Sequence, residues 1–349
     1  MTFDLHVAAK PWRAHLAALA ERVPGLVPVV KGNGYGFGRD LIAAEAQRMG
    51  VPQIAVGTYS EVPDALAAFG GDVLVMTPWR PYVEAVADDR VIHTISRLED
   101  LEAIASGSAG LQGGDRPIRV VIEGETSMAR HGFDRHELAD VEASLGALQV
   151  DGFGIHLPLV RENLAEADAW AGRLLTSQLS TTTLYVSHLN PDDLAELRDR
   201  RPELTICPRV GTALWLGNLD ALSVRATVLD VHRVARGERV GYRQRPVQRD
   251  GALLVVAGGT SHGIGLEAPR AMRSAVQRGK RLAKGGLEAA GLALSPFVID
   301  GKHRWFAEPP HMQSSFVLLP ESAEVPEPGD TVRATVRYTT TTFDSVELV

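Results

Sequence analysis

Short apolar runs alternate with stretches of helical spacing along the first 215 residues of the chain. The runs are Leu26–Lys31, Gln53–Gly57, Asp72–Thr77, Val91–Ser96, Ile118–Gly124, Val150–Leu157, Thr183–His188 and Thr205–Val210. Each is continuous and bounded by turn residues, as expected of a strand buried on both faces. Between them lie helical patterns such as Leu41–Met49, Ser60–Phe69, Leu98–Ala105, His136–Leu148 and Leu164–Leu179. Another helix precedes the first strand, with Trp12, Leu16, Leu19 and Val23 on one stripe and Pro11 in its first turn, where a missing N–H costs little. Alternating strand and helix implies parallel pairing through right-handed crossovers. Eight such units predict a (β/α)₈ TIM barrel within an α/β chain, with an open doubly wound sheet as the alternative.

Beyond about residue 218 the pattern becomes mainly β. Strands are expected at Val224–Val234, Arg239–Arg245, Ala252–Gly258, Phe297–Ile299, Ser315–Leu319, Thr331–Tyr338 and Ser345–Val349, separated by turns such as Glu327-Pro328-Gly329-Asp330. A helical interlude, Ala268–Leu292, carries Arg270, Arg273, Arg278, Lys280, Arg281 and Lys284, a pattern that suits a solvated helix face. The expected division is a barrel over residues 9–222 and a C-terminal β-domain over 223–349, to which residues 1–8 offer a further strand.

Composition narrows the class. The 349 residues exceed what one core supports, 45% are hydrophobic and 23% charged. A net charge of -7 without a basic run disfavours nucleic acid and anionic membrane surfaces. No run of about 18 apolar residues suggests a membrane span. Asp4, His6 and Lys10 interrupt any leader-like apolar stretch, and the single Cys207 excludes an intrachain disulfide. The expected location is the cytoplasm.

Chemistry concentrates where strands end. Val29-Val30-Lys31-Gly32-Asn33-Gly34-Tyr35-Gly36-Phe37-Gly38 places one lysine at the close of an apolar run, under a glycine-dense turn. Partial burial lowers a lysine's pKa and frees its amine for a Schiff base with a carbonyl compound, although a strand-end lysine can equally be a solvated loop charge. Lys31, Arg130, His156, Ser187 and Arg209 all fall at or just past strand ends, the face on which barrel enzymes build their sites.

The lysine segment resembles the pyridoxal-phosphate motif of alanine racemases, in which a strand-end lysine is followed by a short Gly/Ala/Asn run, a tyrosine and a glycine. That resemblance implies that Lys31 carries pyridoxal 5'-phosphate (PLP) and that Tyr35 contacts its phosphate. Pro208-Arg209-Val210-Gly211-Thr212 is similar to the racemase segment whose arginine meets the pyridine nitrogen while the next residues bind phosphate. It implies that Gly211 and Thr212 are phosphate ligands. Since a guanidinium does not give up its proton, a ring nitrogen facing Arg209 would stay unprotonated. Met128-Ala129-Arg130-His131-Gly132 looks like the stretch whose arginine contacts the cofactor and the substrate carboxylate, with His131 in an apolar slot. Gly152-Phe153-Gly154-Ile155-His156 matches the strand whose histidine lies against the pyridine ring. Ser187-His188-Leu189-Asn190 sits where racemases carry a phosphate-binding run, in a register ambiguous by one residue. Gly241-Tyr242 matches the usual opening of the family's second domain.

The resemblance breaks in that second domain. Thr260 stands where racemases have the tyrosine base for the opposite face of the substrate. His262, nearby, is the segment's only good proton carrier and the expected replacement. His311-Met312-Gln313 aligns with the Met-Asp-Gln run near the family's carboxylate pocket, lacking its aspartate, so Thr260 and Met312 are expected among the substrate-binding residues. The family implies a homodimer with shared sites. It also implies an amino acid or amino-acid derivative as substrate, and the missing tyrosine and aspartate point to one broader than or different from alanine. A cofactor-binding homologue without turnover and a PLP decarboxylase are the alternatives.

Overall fold

Why eight short apolar runs give one cylinder is visible in their pairing. The computed structural model describes residues 2–107, 116–159, 162–266 and 293–349. The chain begins with strand β1 (Phe3–Val7) and helix α1 (Ala9–Arg22). There follow β2 (Val27–Pro28), α2 (Arg39–Arg48), β3 (Gln53–Val56), α3 (Val62–Ala68), β4 (Asp72–Val75) and β5 (Val91–Ile95). Next come α4 (Leu98–Ala105), β6 (Arg119–Gly124), α5 (Leu138–Ser144), β7 (Gln149–Ile155), α6 (Leu164–Thr176), β8 (Thr183–Val186), α7 (Pro191–Arg200), β9 (Thr205–Val210) and α8 (Thr212–Trp215). Strands β2 to β9 run parallel in the order β2-β9-β8-β7-β6-β5-β4-β3, and a bridge between Val29 and Ala55 joins the two ends into a closed barrel. The expected barrel is therefore the observed one, and an open sheet is excluded. Its strands are apolar on both faces because each is packed twice: Ile54, Ala55, Val56, Val73, Leu74, Val75, Val120, Val121 and Ile122 are all fully buried.

The chain forms two compact units, Arg13–Gly217, which holds the barrel, and Asn218–Val349 together with the segment ending at Trp12. In the second unit the strands are β10 (Leu222–Val234), β11 (Arg239–Val240), β12 (Arg245–Pro246), β13 (Gly251–Ala257), β14 (Leu294–Ile299), β15 (Lys302–Phe306), β16 (Ser314–Pro320), β17 (Thr331–Ala334) and β18 (Ser345–Leu348). An eight-stranded sheet runs β13-β16-β15-β14-β17-β10-β1-β18, and β10 also pairs with β13. A break in register between Val228 and Asp230 lets β10 leave β1 and β17 for β13. β1 enters this sheet between β10 and β18.

Several boundaries differ from the sequence pattern. Arg239–Arg245 is not one strand but the hairpin β11–β12, because Gly241 and Gln244 adopt positive φ. β17 stops at Ala334, and Tyr338–Thr340 forms a 3₁₀ turn. α5 is shorter than His136–Leu148, since Gly146 lies at φ 54° just past its end. β15 is an addition: its Lys-His-Arg start hides it, yet Asp300-Gly301 is a hairpin turn signal, with both residues at positive φ. The basic stretch Ala268–Leu292 lies outside the described residues. Among the described residues no helix is long and apolar enough to cross a membrane.

Candidate active site

Lys31 ends the first barrel strand, whose backbone is tied to both neighbours: Val29 N–H donates to Val210 at 2.9 Å and Val30 N–H to Ala55 at 2.7 Å. The loop that follows turns back tightly, with Gly34 N–H on the Lys31 carbonyl at 3.1 Å. Gly34 sits at φ 62°, and a Cβ there would crowd the Arg39 backbone, so the turn requires glycine. Tyr35 also adopts a left-handed conformation, at φ 57°. Its ring is buried and its hydroxyl lies over Gly211, where an added methyl group would overlap it. From the other side the Trp215 indole N–H donates to the Val29 carbonyl at 2.8 Å. The turn after β9 and the end of β2 are thus one rigid assembly. It brings together the Tyr35 hydroxyl and the backbone of Gly211 and Thr212, the three groups expected to hold a phosphate.

Arg209 is 6% exposed and donates from Nη2 to the Ile155 carbonyl at 2.7 Å. Its Nη1 lies 3.9 Å from where a Cβ on Gly154 would stand. Its Nε has no hydrogen-bond partner among the described residues, and the same holds for His156 Nδ1 and Glu123 Oε2. Buried polar atoms are nearly always satisfied, so three such atoms in one barrel interior mark a site built for something else. His156 meets His188 edge-on, with ring centroids 5.1 Å apart. Burial first, then the nearby Arg209 and Arg130, pushes the His156 imidazole down to about 3, so it is neutral at physiological pH. Lys31 stays open to the barrel mouth, yet partial desolvation lowers its amine pKa, helped by Arg130 and Arg209 and opposed by Glu61. The Tyr35 hydroxyl is raised by burial and stays protonated.

Arg130 is exposed on a loop with several anchors. The Thr126 hydroxyl donates to the His156 carbonyl at 2.6 Å. Ser127 donates to Glu166 from both its N–H and its hydroxyl, each at 2.6 Å. The backbone of Ala129 is held at φ 50°. Ser187 is buried, and its hydroxyl accepts the Leu157 N–H at 3.2 Å, while Asn190 caps α7 by accepting the Asp193 N–H. Those two bonds serve the backbone of the mouth.

The C-terminal unit brings Thr260 and Met312 together: Thr260 N–H donates to the His311 carbonyl at 2.8 Å and Ser261 N–H to the Met312 carbonyl at 2.9 Å. Both side chains are exposed. His262 is buried, and both its ring nitrogens are engaged. Nδ1 accepts the Gly259 N–H at 3.1 Å, and Nε2 lies 3.2 Å from Asp344. Its ring also packs edge-on against Phe3. A group that sequence reasoning missed is more open. His311 pairs through Nε2 with the buried Glu308 at 2.7 Å, and its ring lies between Tyr242 and Phe316. Glu308 also accepts the N–H groups of Tyr242 and Arg243, and a side chain on Gly241 would collide with it.

Glu123 and Glu61 were likewise missed. Glu123 is buried at the end of β6, and desolvation raises its carboxyl to about 7 against the pull of Arg209, Arg130 and Arg80. Nothing in a Val-Val-Ile-Glu-Gly strand marks its glutamate as an inward one. Glu61 did leave a signal: Thr58-Tyr59-Ser60-Glu61 has the spacing of a capping box, and the structure forms one.

Comparison with known proteins agrees with this geometry. The sequence model of the alanine racemase N-terminal domain matches residues 9–218. The chain is 28% identical over 266 residues to an alanine racemase of Nitratidesulfovibrio vulgaris (strain DP4), covering 67% of each protein. It is 32% identical over 256 residues to that of Lawsonia intracellularis, covering 66% of each. The fold resembles an alanine racemase of Clostridium difficile 630, with a TM-score of 0.72, 14% identity, and 95% of this chain and 86% of that one covered. It also resembles the alanine racemase of Bartonella henselae solved with covalently bound pyridoxal phosphate, with a TM-score of 0.70, 19% identity, and 97% and 91% covered. With that family model covering more than half of the chain, on a closed barrel of the same fold, the chain belongs to the alanine racemase family.

Proposed function

We propose that this protein is a PLP-dependent amino-acid racemase or epimerase-like isomerase whose cofactor is carried by Lys31. One observation carries the reading: a lysine with a lowered amine pKa shares one barrel mouth with a tyrosine hydroxyl over Gly211 and a buried arginine whose Nε lacks a partner. The residues fit the group. In this reading Tyr35, Gly211 and Thr212 hold its phosphate, Arg209 faces its ring nitrogen, neutral His156 its ring face, and Arg130 takes a substrate carboxylate. Ser187 supports the same region through the Leu157 backbone.

When bound, the cofactor supplies an aldehyde that condenses with an amine and an electron-withdrawing ring that acidifies the α-hydrogen of an amino acid. Lys31 must be neutral to act as nucleophile or base, and its lowered pKa raises that fraction at physiological pH. Arg209 donates and never accepts, which keeps a ring nitrogen beside it unprotonated. Arg130 would take the substrate carboxylate as a bidentate clamp and so orient the α-carbon toward the Lys31 amine. Inversion needs a second proton carrier for the opposite face, and in this reading His262 is the candidate carrier of the C-terminal unit, with Thr260 and Met312 as candidate substrate contacts. A homodimer in the cytoplasm acting on a small amino acid or its derivative completes the reading.

Thr260 in place of a tyrosine favours a second reading, a cofactor-binding homologue without turnover, because a threonine hydroxyl is too weak an acid to carry protons. Two measurements separate the readings. Wild type should be yellow and fixed by borohydride at Lys31, and Lys31→Ala should be colourless. Incubation with L- and D-amino acids in D₂O should give deuterium at Cα with inversion. A colourless wild type sinks the cofactor assignment, and colour without exchange selects the binding protein.

A further inference from the structure

Behind the Lys31 loop stands a carboxylate for which the chemistry above has no task. Glu61 is 8% exposed, on the 3₁₀ turn after β3. Its Oε1 accepts the Gly32 N–H at 2.6 Å, and its Oε2 accepts the N–H groups of Gly57 at 2.6 Å and Thr58 at 3.2 Å. One side chain therefore ties the residue after Lys31 to the end of the neighbouring strand. Gly57 makes the approach possible: a Cβ there would stand 3.0 Å from Glu61 Oε2 and 3.2 Å from the Lys31 Cβ. Even alanine would wedge the two apart.

We propose that Glu61 is a positioning residue for Lys31, fixing its loop and holding a counter-charge beside its amine. The proposal rests on Lys31 being the cofactor-bearing residue, and it explains how that residue is tuned. Lys31 faces Arg130, Arg209, His156 and His188 across the mouth, and among the described residues Glu61 is the one acidic group acting on it. Desolvation and two arginines push the amine toward neutrality, and Glu61 pulls it back. A lysine driven too far down would be a weak base for an α-proton, so the opposing charge keeps the amine basic as well as free. Burial raises the Tyr35 hydroxyl, and the same carboxylate adds to that rise.

The test reads the amine itself. The full-length protein is stripped of carbonyl ligands with hydroxylamine, and Lys31 is trace-labelled with acetic anhydride from pH 6 to 10. Peptide mass spectrometry then gives the labelling midpoint. In Glu61→Gln the midpoint should fall by about 0.5–1 unit, the scale of one nearby charge in a partly wet site. In Glu61→Asp, which keeps the charge but shortens its reach, it should fall by about half as much. An unchanged or raised midpoint in Glu61→Gln overturns the proposal, because a merely structural role would loosen the loop without moving the titration. If Glu61→Gln does not fold, Glu61→Asp alone must still lower the midpoint, and no fall there overturns it too. Because the labelling needs no cofactor, its failure is distinct from failure of wild type to bind PLP.

Discussion

The hydroxyl of Tyr35 occupies the space a side chain on Gly211 would need. This one contact links the loop after the first barrel strand to the turn after the eighth, and it dictates what can bind between them. Gly211→Ala should displace the tyrosine and weaken PLP binding by at least about tenfold. Tyr35→Phe keeps the shape and loses one charge-assisted hydrogen bond, about 1.5–3 kcal/mol. Cofactor titration followed by absorbance checks both. If Gly211→Ala binds as wild type does, the phosphate does not sit at this turn.

Arg119, at the opposite end of β6, holds the base of the barrel. It donates to both Asp72 oxygens at 2.7 Å and to Asp151 at 2.7 Å, linking β4, β6 and β7. Arg119→Gln strands two carboxylates, Asp151 being mostly buried. Loss of about 2–3 kcal/mol is expected, discounted from a fully buried pair because Asp72 is partly solvated. Calorimetry should show the transition lowered by several degrees with cofactor affinity unchanged. Weakened PLP binding at full stability would instead connect this network to the mouth.

The barrel was legible because its strands are buried on both faces and so appear as unbroken apolar runs. Lys31, Tyr35, Arg209 and Gly211 were legible because their spacing is that of a known motif. Glu123 was not: a single glutamate at a strand end gives no sign of which way it points until the pleat is known. β15 was hidden in a similar way. Its alternate residues Arg304 and Phe306 are buried, and arginine reads as a solvent residue until its bond to the Ile299 carbonyl is seen. The Glu308–His311 pair is a local spacing of three whose meaning depends on the buried Glu308 also holding the backbone of Tyr242 and Arg243.

Two buried groups give the barrel opposing pH dependences. His93, bonded to the Tyr59 hydroxyl at 3.0 Å, is lowered by burial to about 4. The unfolded chain therefore takes up its proton first, and stability is lost as pH falls from 6.5 toward 4. Glu123 is raised to about 7 by burial, with Arg209, Arg130 and Arg80 facing it. Its contribution is complete below 4.5 and is lost as pH rises through 7. Glu123→Gln should thus stabilise the protein at pH 8 by up to about 3 kcal/mol and leave pH 4 unchanged. His93→Asn should flatten the acid side of the profile. Denaturant midpoints at several pH values check both, and no gain at pH 8 in Glu123→Gln would show that the carboxyl is not held protonated.

The opposite-face proton separates two histidines of the C-terminal unit. His262 is buried between Gly259 and Asp344 with both ring nitrogens in use, so a proton shuttle there would have to break a bond that shapes its own loop. His311 presents the other arrangement: a buried glutamate orients one ring nitrogen, the ring is partly exposed, and its backbone carbonyl is bonded to the position where the family keeps its tyrosine. A carboxylate on one ring nitrogen fixes the ring's tautomer and orientation. His262→Asn should therefore lower stability by about 1–2 kcal/mol, the scale of buried bonds lost, while α-deuterium exchange continues from both enantiomers. His311→Asn should cut exchange from one enantiomer by about a hundredfold or more, the usual share of a general acid–base, and spare the other. If a folded His262→Asn loses exchange from one face and His311→Asn does not, the buried histidine is the carrier, and its bond to Asp344 must open during turnover.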